Sequence, residues 1–367
     1  MKSVSKKYCF VFGTRPEIIK LAPIVKECQL KQIPFITIHT GQHYDQNMDQ
    51  IFWNELQLPD PSYNLHIGSG SHAEQIGQML EKIEKILIAE TPDLVIVQGD
   101  TNSALSGAIA AAKLNIPIAH VEAGLRSFDR TMPEEINRII ADHVSTWNFA
   151  PTKKAEINLI NEGIPRAKIH LTGNTIVDAL TQNRSIAEQK STISKKILSQ
   201  ESKYVLLTIH RPSNTDSKDN LKHILQAIEE VSVKRGLLFI WPIHPRTKNK
   251  LIEFQLHEHL TNIQNLKVIS PVGYLDMIWL LDNSQLVITD SGGLQEEACV
   301  LKIPCVTLRD NTERPESVDV GANILVKNGS NSIIKAVDFM LKSKKDWDNP
   351  YGDGLATKRI ISILENH

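Results

Sequence analysis

Short apolar runs rich in β-formers alternate with segments of helical periodicity from one end of this chain to the other, and that alternation admits few folds. Strand, crossover helix and strand make a βαβ unit, and a series of such units builds a parallel sheet with helices on both faces. The pattern predicts strands over 8–12, 35–39, 94–98, 117–121, 147–150 and 169–171, then a second series over 204–209, 237–242, 266–269, 286–289, 305–308 and 323–326. Between the series lies TQNRSIAEQKSTISKKILSQESK, polar and poor in strand signals, which reads as a helix leading into a surface linker. At 367 residues the chain exceeds what a single hydrophobic core usually organises. The expected fold class is α/β, with two Rossmann-like doubly wound domains over 1–180 and 200–346 and a binding site, by default, in the cleft between them.

Charge excludes some partners. Lysine and arginine number 41 against 42 aspartates and glutamates, which gives no support for a nucleic-acid coat or a polybasic membrane surface. The first apolar run is cut by Gly13, too soon for a signal peptide, and no stretch approaches the roughly 20 apolar residues that span a bilayer. A cytoplasmic protein is expected. Cys9, Cys28, Cys299 and Cys305 sit in apolar surroundings without a C-x-x-C pair, so they read as buried reduced thiols rather than disulfides or a zinc site.

In an open parallel sheet, ligands bind beyond the carboxyl ends of the strands. Asp100, after LVIVQGD, and Glu122, after IPIAHVEAG, occupy such positions. Asp100 reads equally well as the N-cap of a small-residue helix. Glu122, between an apolar strand and an Ala-Gly turn, is better placed as a cleft-facing acid or base. In FVFGTRPEIIK, Thr14 and Glu17 form a capping box, while Arg15 and Lys20 at the helix start would suit a phosphate, although solvated surface cations are the commoner case. In MPEEINR, Glu134 and Arg138 make an i,i+4 ion pair; alternatively Glu134 faces substrate while Arg138 holds a phosphate.

The second half offers a different set. VLLTIHRPSN ends a strand in His210 and Arg211, with Ser213 available as a cap, and FIWPIHPRT repeats the arrangement with His244. A cleft-facing imidazole can supply a proton or a cationic hydrogen bond to a departing phosphate. In LVITDSGGLQEEA, Ser291, Gly292 and Gly293 would let backbone N–H groups approach a diphosphate, and Glu297 would accept from ribose hydroxyls; a plain βα turn is the alternative. Arg314 precedes Pro315, where it can bind an anion or pair with Glu313 or Glu316.

FGTRPEIIK, QGDTN, HVEAGLRS, MPEEINR, FAPT, LTGNTIVDAL, DSGGLQEEA and RDNTERPE stand in this order across most of the chain. Together they resemble the non-hydrolysing UDP-N-acetylglucosamine 2-epimerases. The resemblance implies a two-domain fold of the glycosyltransferase-B type, in which a C-terminal helix, here about 347–367, crosses back to complete the first domain. It implies catalytic roles for Asp100, Glu122, Glu134 and His210, substrate contacts from Arg15, Lys20, Arg138, Met277, Ser291, Gly292, Gly293, Glu297 and Arg314, and an activator region at Gln42, His43 and His244. It also implies a homodimer acting on a UDP-sugar without metal, nicotinamide or other cofactor.

Two departures stand out. Met277 replaces a Phe common in bacterial members near the uracil pocket, and HRPSN at 210–214 replaces their HRREN, which removes the ground for expecting activation by a second substrate molecule. A UDP-sugar glycosyltransferase, a hydrolysing 2-epimerase and a catalytically silent nucleotide-sugar sensor are the rival readings. The carboxylates of the first half argue for epimerisation.

Overall fold

The structure, a computed structural model, describes residues 6–41, 52–193, 203–327 and 329–366. The chain forms two compact units, Met1–Gln182 with Tyr351–His367, and Asn183–Pro350.

The first unit is built on a parallel sheet of β1 (Tyr8–Phe12), β2 (Phe35–His39), β3 (Tyr63–Asn64), β4 (Leu94–Gln98), β5 (Ile118–Val121), β6 (Trp147–Ala150) and β7 (Ile169–Leu171). Their order is β3-β2-β1-β4-β5-β6-β7, so the winding reverses between β1 and β4. Edge strand β3 has two residues, too few to carry the alternation that marks a strand in sequence. β1, β4 and β5 are buried throughout, as expected for strands covered on both faces.

Helix Asn102–Lys113 packs close against this sheet because its residues are small: a Cβ added at Gly107 would lie 3.0 Å from the side chains of Val11 and Val97. Helix Ala356–Glu365 completes the unit. It buries Ile360, Ile361 and Leu364, and Asp178 accepts the backbone N–H groups of Ala356 and Thr357 at 3.3 and 2.9 Å. Trp347 stays with the second unit, where its indole donates to the Cys299 carbonyl at 3.0 Å, and the chain re-enters the first unit at Tyr351.

The second unit repeats the grammar with β8 (Tyr204–Thr208), β9 (Leu238–Pro242), β10 (Leu266–Ile269), β11 (Leu286–Thr289), β12 (Cys305–Thr307) and β13 (Asn323–Leu325), all parallel. The order β10-β9-β8-β11-β12-β13 puts its reversal between β8 and β11. Alternate β8 residues feed separate cores: Val205 and Leu207 join Ile224, Ile228 and Trp241, whereas Tyr204 and Leu206 join Leu280, Ala298 and Cys305. This is the period of two that a strand covered on both faces requires. All four cysteines are buried and free. Among the described residues, no helix is long and apolar enough to cross a membrane.

Candidate active site

Each reversal point carries a cluster of charged and polar groups, as the open-sheet rule anticipates. In the first unit the loop after β1 enters helix Arg15–Leu30 through a capping box. Glu17 accepts from the Gly13 and Thr14 amides at 3.0 and 2.8 Å, from the Thr14 hydroxyl at 2.8 Å, and from the Thr101 hydroxyl beyond β4 at 2.7 Å. Burial pushes its carboxyl up to about 7. Glu17 is thus occupied with structure, and it takes up amides at this helix start that a phosphate would need.

One turn on, Lys20 is buried and forms an ion pair with Glu122. Glu122 sits just past β5 with φ +69, in the left-handed region that few side chains adopt. Lys20 supplies the countercharge that a buried carboxylate requires.

Asp100 is half-buried beyond β4. Thr101, and not Asp100, caps helix Asn102–Lys113, accepting the Ala104 amide at 3.1 Å. The Asp100 carboxylate pairs instead with Arg138, and its carbonyl accepts from Asn137 at 2.9 Å.

The i,i+4 pair read between Glu134 and Arg138 does not form. Arg138 turns inward to Asp100 and to buried Glu135, 2.5 Å away, while Glu134 is left exposed in the first turn of helix Pro133–Val144. Glu135 also accepts from the backbone of Ser127 and Phe128 at 3.0 and 2.9 Å, which ties down the preceding loop. Arg15 stacks over Phe52, 5.4 Å from the ring centre. Gln42 and His43 lie outside the described residues.

In the second unit the organising group is Asp290, fully buried at the end of β11. It accepts from the His210 and Arg211 amides, with shortest contacts of 3.0 and 2.9 Å, and from the Asn214 side chain at 3.0 Å. The Nδ1 of His210 lies 3.1 Å from Asp290, so the carboxylate orients that ring and leaves Nε2 for another partner. Burial opposes ionisation here, but His210, Asn214 and the Arg211 amide hold the Asp290 carboxyl below its ordinary range. His244 is exposed, caps helix Pro245–Glu253 through Nδ1 and lies 5.9 Å from the His210 ring centre. Ser213 is not the cap its position suggested, because Arg211 takes the N-cap of the short turn Pro212–Thr215.

Helix Gly292–Val300 begins after Ser291, whose side chain makes no capping hydrogen bond. Gly292 leaves room for the paired side chains beside it: an added Cβ would fall 2.6 Å from the Arg314 guanidinium and 2.8 Å from the Glu313 carboxylate and would displace them, whereas Gly293 has open space. Arg314 is braced by Glu313 and by Glu296 at 2.9 Å. Burial works against the Glu313 charge, yet Arg314, Arg309 and Arg211 hold its carboxyl well below the usual range. Glu297 is buried beside Tyr274, whose phenol is pushed far up by burial and by that carboxylate. Met277, on helix Tyr274–Asp282, is half-buried against the core containing Leu280 and Leu281.

Asp290 and Glu135 were missed in the sequence. Asp290 carries the signal that singles out Asp100, a carboxylate at a strand exit, but stands beside glycines that read as the ligand signal; Glu135 belongs to the acidic helix start Pro133-Glu134-Glu135, where nothing in sequence separates its role from that of Glu134.

The model of the UDP-N-acetylglucosamine 2-epimerase family matches residues 26–365. The chain belongs to that family. A relative from Methanocaldococcus jannaschii named UDP-N-acetylglucosamine 2-epimerase is 54% identical over 360 residues, covering 98% of each chain. The crystal structure of the Methanocaldococcus jannaschii UDP-GlcNAc 2-epimerase in complex with UDP-GlcNAc and UDP superposes with a TM-score of 0.93 at 54% identity, over 98% of this chain and 100% of that one. A Pseudomonas aeruginosa relative, named UDP-2,3-diacetamido-2,3-dideoxy-D-glucuronate 2-epimerase, is 43% identical over 98% of this chain and 99% of its own. The two relatives are thus named for different UDP-sugars.

Proposed function

We propose that the protein epimerises UDP-N-acetylglucosamine at C2 to UDP-N-acetylmannosamine without hydrolysing it. The observation that carries the chemistry is the pairing of carboxylate with buried cation in the first unit, Glu122 with Lys20 and Asp100 with Arg138. The choice of sugar follows the archaeal relative, named for UDP-N-acetylglucosamine and 54% identical.

The sugar has no carbonyl beside C2, so its proton is not acidic. A base therefore removes it only as the C1–O bond breaks: the C2–H electrons form the C1=C2 double bond and the C1–O pair leaves with UDP. The intermediate is 2-acetamidoglucal. Reprotonation at C2 from the opposite face, with UDP returning to C1, yields the epimer, and acid/base groups must serve both faces. Asp100, Glu122 and Glu134 are the proposed proton carriers, with Glu134 the exposed one.

In the second unit, the glycines at the start of helix Gly292–Val300 and Arg314 are proposed to hold the diphosphate, with Glu297 at the ribose and Met277 near the base. His210, oriented by Asp290, donates to the leaving diphosphate, and Arg15 and Arg138 complete its electrostatic support. No metal or nicotinamide enters this chemistry.

Proton NMR of the purified protein with UDP-N-acetylglucosamine in D₂O tests the reading. UDP-N-acetylmannosamine carrying deuterium at C2 is the expected product. Free N-acetylmannosamine with UDP would replace it by the hydrolysing reaction. Silence with this substrate and turnover of a diacetamido uronate analogue would reassign the sugar.

A further inference from the structure

Beneath the carboxylate turns lies a buried polar network that the chemistry above does not use. His120, on β5, is fully buried, with Nδ1 2.7 Å from Asp142 Oδ1 and Nε2 2.8 Å from the Gly99 carbonyl. A carbonyl only accepts, so Nε2 carries a proton and donates to it. Asp142, fully buried too, accepts the Gly124 amide at 3.2 Å and meets the Arg126 guanidinium at 2.7 Å. Arg126 runs on to Glu162 in a two-pronged contact of 2.7 and 2.5 Å.

The network touches backbone at two informative places. Gly99 immediately precedes Asp100, and Gly124 stands two residues after Glu122. The backbone turns through positive φ at Gly99 (+70), Glu122 (+69) and Gly124 (+84); glycine reaches this region freely, whereas the side chain of Glu122 makes it costly there. Gly124 is further committed, since a Cβ there would lie 2.3 Å from the Ala155 carbonyl oxygen. Buried ionic groups are costly to keep, and hydrophobic packing would serve stability as well. What such packing cannot do is hydrogen-bond two adjacent turns at once.

We propose that His120 and Asp142 are positioning residues that hold the Asp100 and Glu122 turns in a fixed mutual register for proton transfer. The catalytic half of this statement rests on the epimerase reading; the structural half does not. Loosening either turn by about an ångström would cost on the order of a hundredfold in rate without touching nucleotide affinity.

Two variants separate the bonds. In His120→Asn the shorter amide reaches Asp142 and releases Gly99; in His120→Gln the longer one reaches the Gly99 carbonyl. Hydrogen–deuterium exchange of the ligand-free protein should rise about tenfold over 99–101 in His120→Asn and return towards wild type in His120→Gln. With UDP-N-acetylglucosamine, kcat should fall about 10–100-fold in His120→Asn, with KM and UDP affinity within about twofold, and recover in part in His120→Gln.

Wild-type exchange over 99–101 and wild-type kcat in His120→Asn would overturn the inference. So would faster exchange throughout the first unit with kcat, KM and UDP affinity declining together, the mark of a merely structural residue. Should the wild-type protein not epimerise, the exchange measurement still decides the positioning role, and only the epimerase reading falls.

Discussion

Around β1 and around β8 the strand order is the same, but the two reversal points are chemically unlike. In the first unit, the third position of the opening helix is Glu17, which takes the Gly13 and Thr14 amides for itself. At the second unit's reversal point the helix that follows β11, on the other side of the reversal, starts Gly292-Gly293-Leu294, with no carboxylate at its third position and no capping bond from Ser291. Buried carboxylate then serves opposite ends. Asp290 organises the strand exit opposite and leaves the helix start open, whereas Glu17 closes its own. A doubly wound sheet supplies the location, and a residue three places into the helix decides whether backbone dipoles serve a ligand or the fold. The first unit, having spent its amides, relies on paired side chains.

The sharpest break between the two comes from Glu122→Gln, which removes a titratable group and little volume. Epimerisation should fall by about 10²–10⁴-fold with UDP affinity unchanged, measured by NMR turnover and calorimetry. Full turnover would exclude Glu122 as an essential acid or base.

The next effect concerns pH. Because burial raises the Glu17 carboxyl to about 7 from its ordinary 4.5, the folded chain holds that proton more tightly than the unfolded one. Its contribution is complete below the ordinary value and is lost as pH rises through about 7. The wild type should therefore lose up to roughly 3 kcal/mol relative to Glu17→Gln between pH 5 and 8, read from urea midpoints. Asp290 has the opposite sign, its stabilisation persisting until acid pH falls through a value below the ordinary range. Parallel pH profiles of the wild type and Glu17→Gln would refute the contrast.

The smallest effect is the most local. Gly292→Ala puts a methyl group against the Arg314 guanidinium and should weaken UDP about tenfold, close to 1.4 kcal/mol, with the first unit's exchange pattern unaltered. Unchanged UDP affinity would remove this helix start from the nucleotide site.

Some of the site was legible because its determinants are local. Thr14 with Glu17, the strand exits at Asp100 and Glu122, and the glycines at 292 and 293 each depend on neighbours a few residues away. The capping box formed as read, and strand alternation gave both sheets apart from two-residue β3. Beyond β3 and Asp290, the misreadings concern partners and caps. Arg138 had a plausible carboxylate four residues back and took instead Glu135, three back on the same helix, and Asp100 beyond β4, the second of which is within reach only because the sheet order sets β4 beside β5.

By itself, then, the sequence determined the α/β class, the two series of βαβ units and the family, since periodicity, caps and ordered motifs are written along the chain. The tertiary structure alone decided who meets whom. Lys20 reaches Glu122 across 102 residues, and His210 meets Asp290 across 80, because parallel winding sets β1 and β5 on either side of β4 and sets β8 beside β11. Local propensity stops at a few residues, whereas the charge pairing that this chemistry needs is made between strands whose adjacency exists only after the sheet has formed.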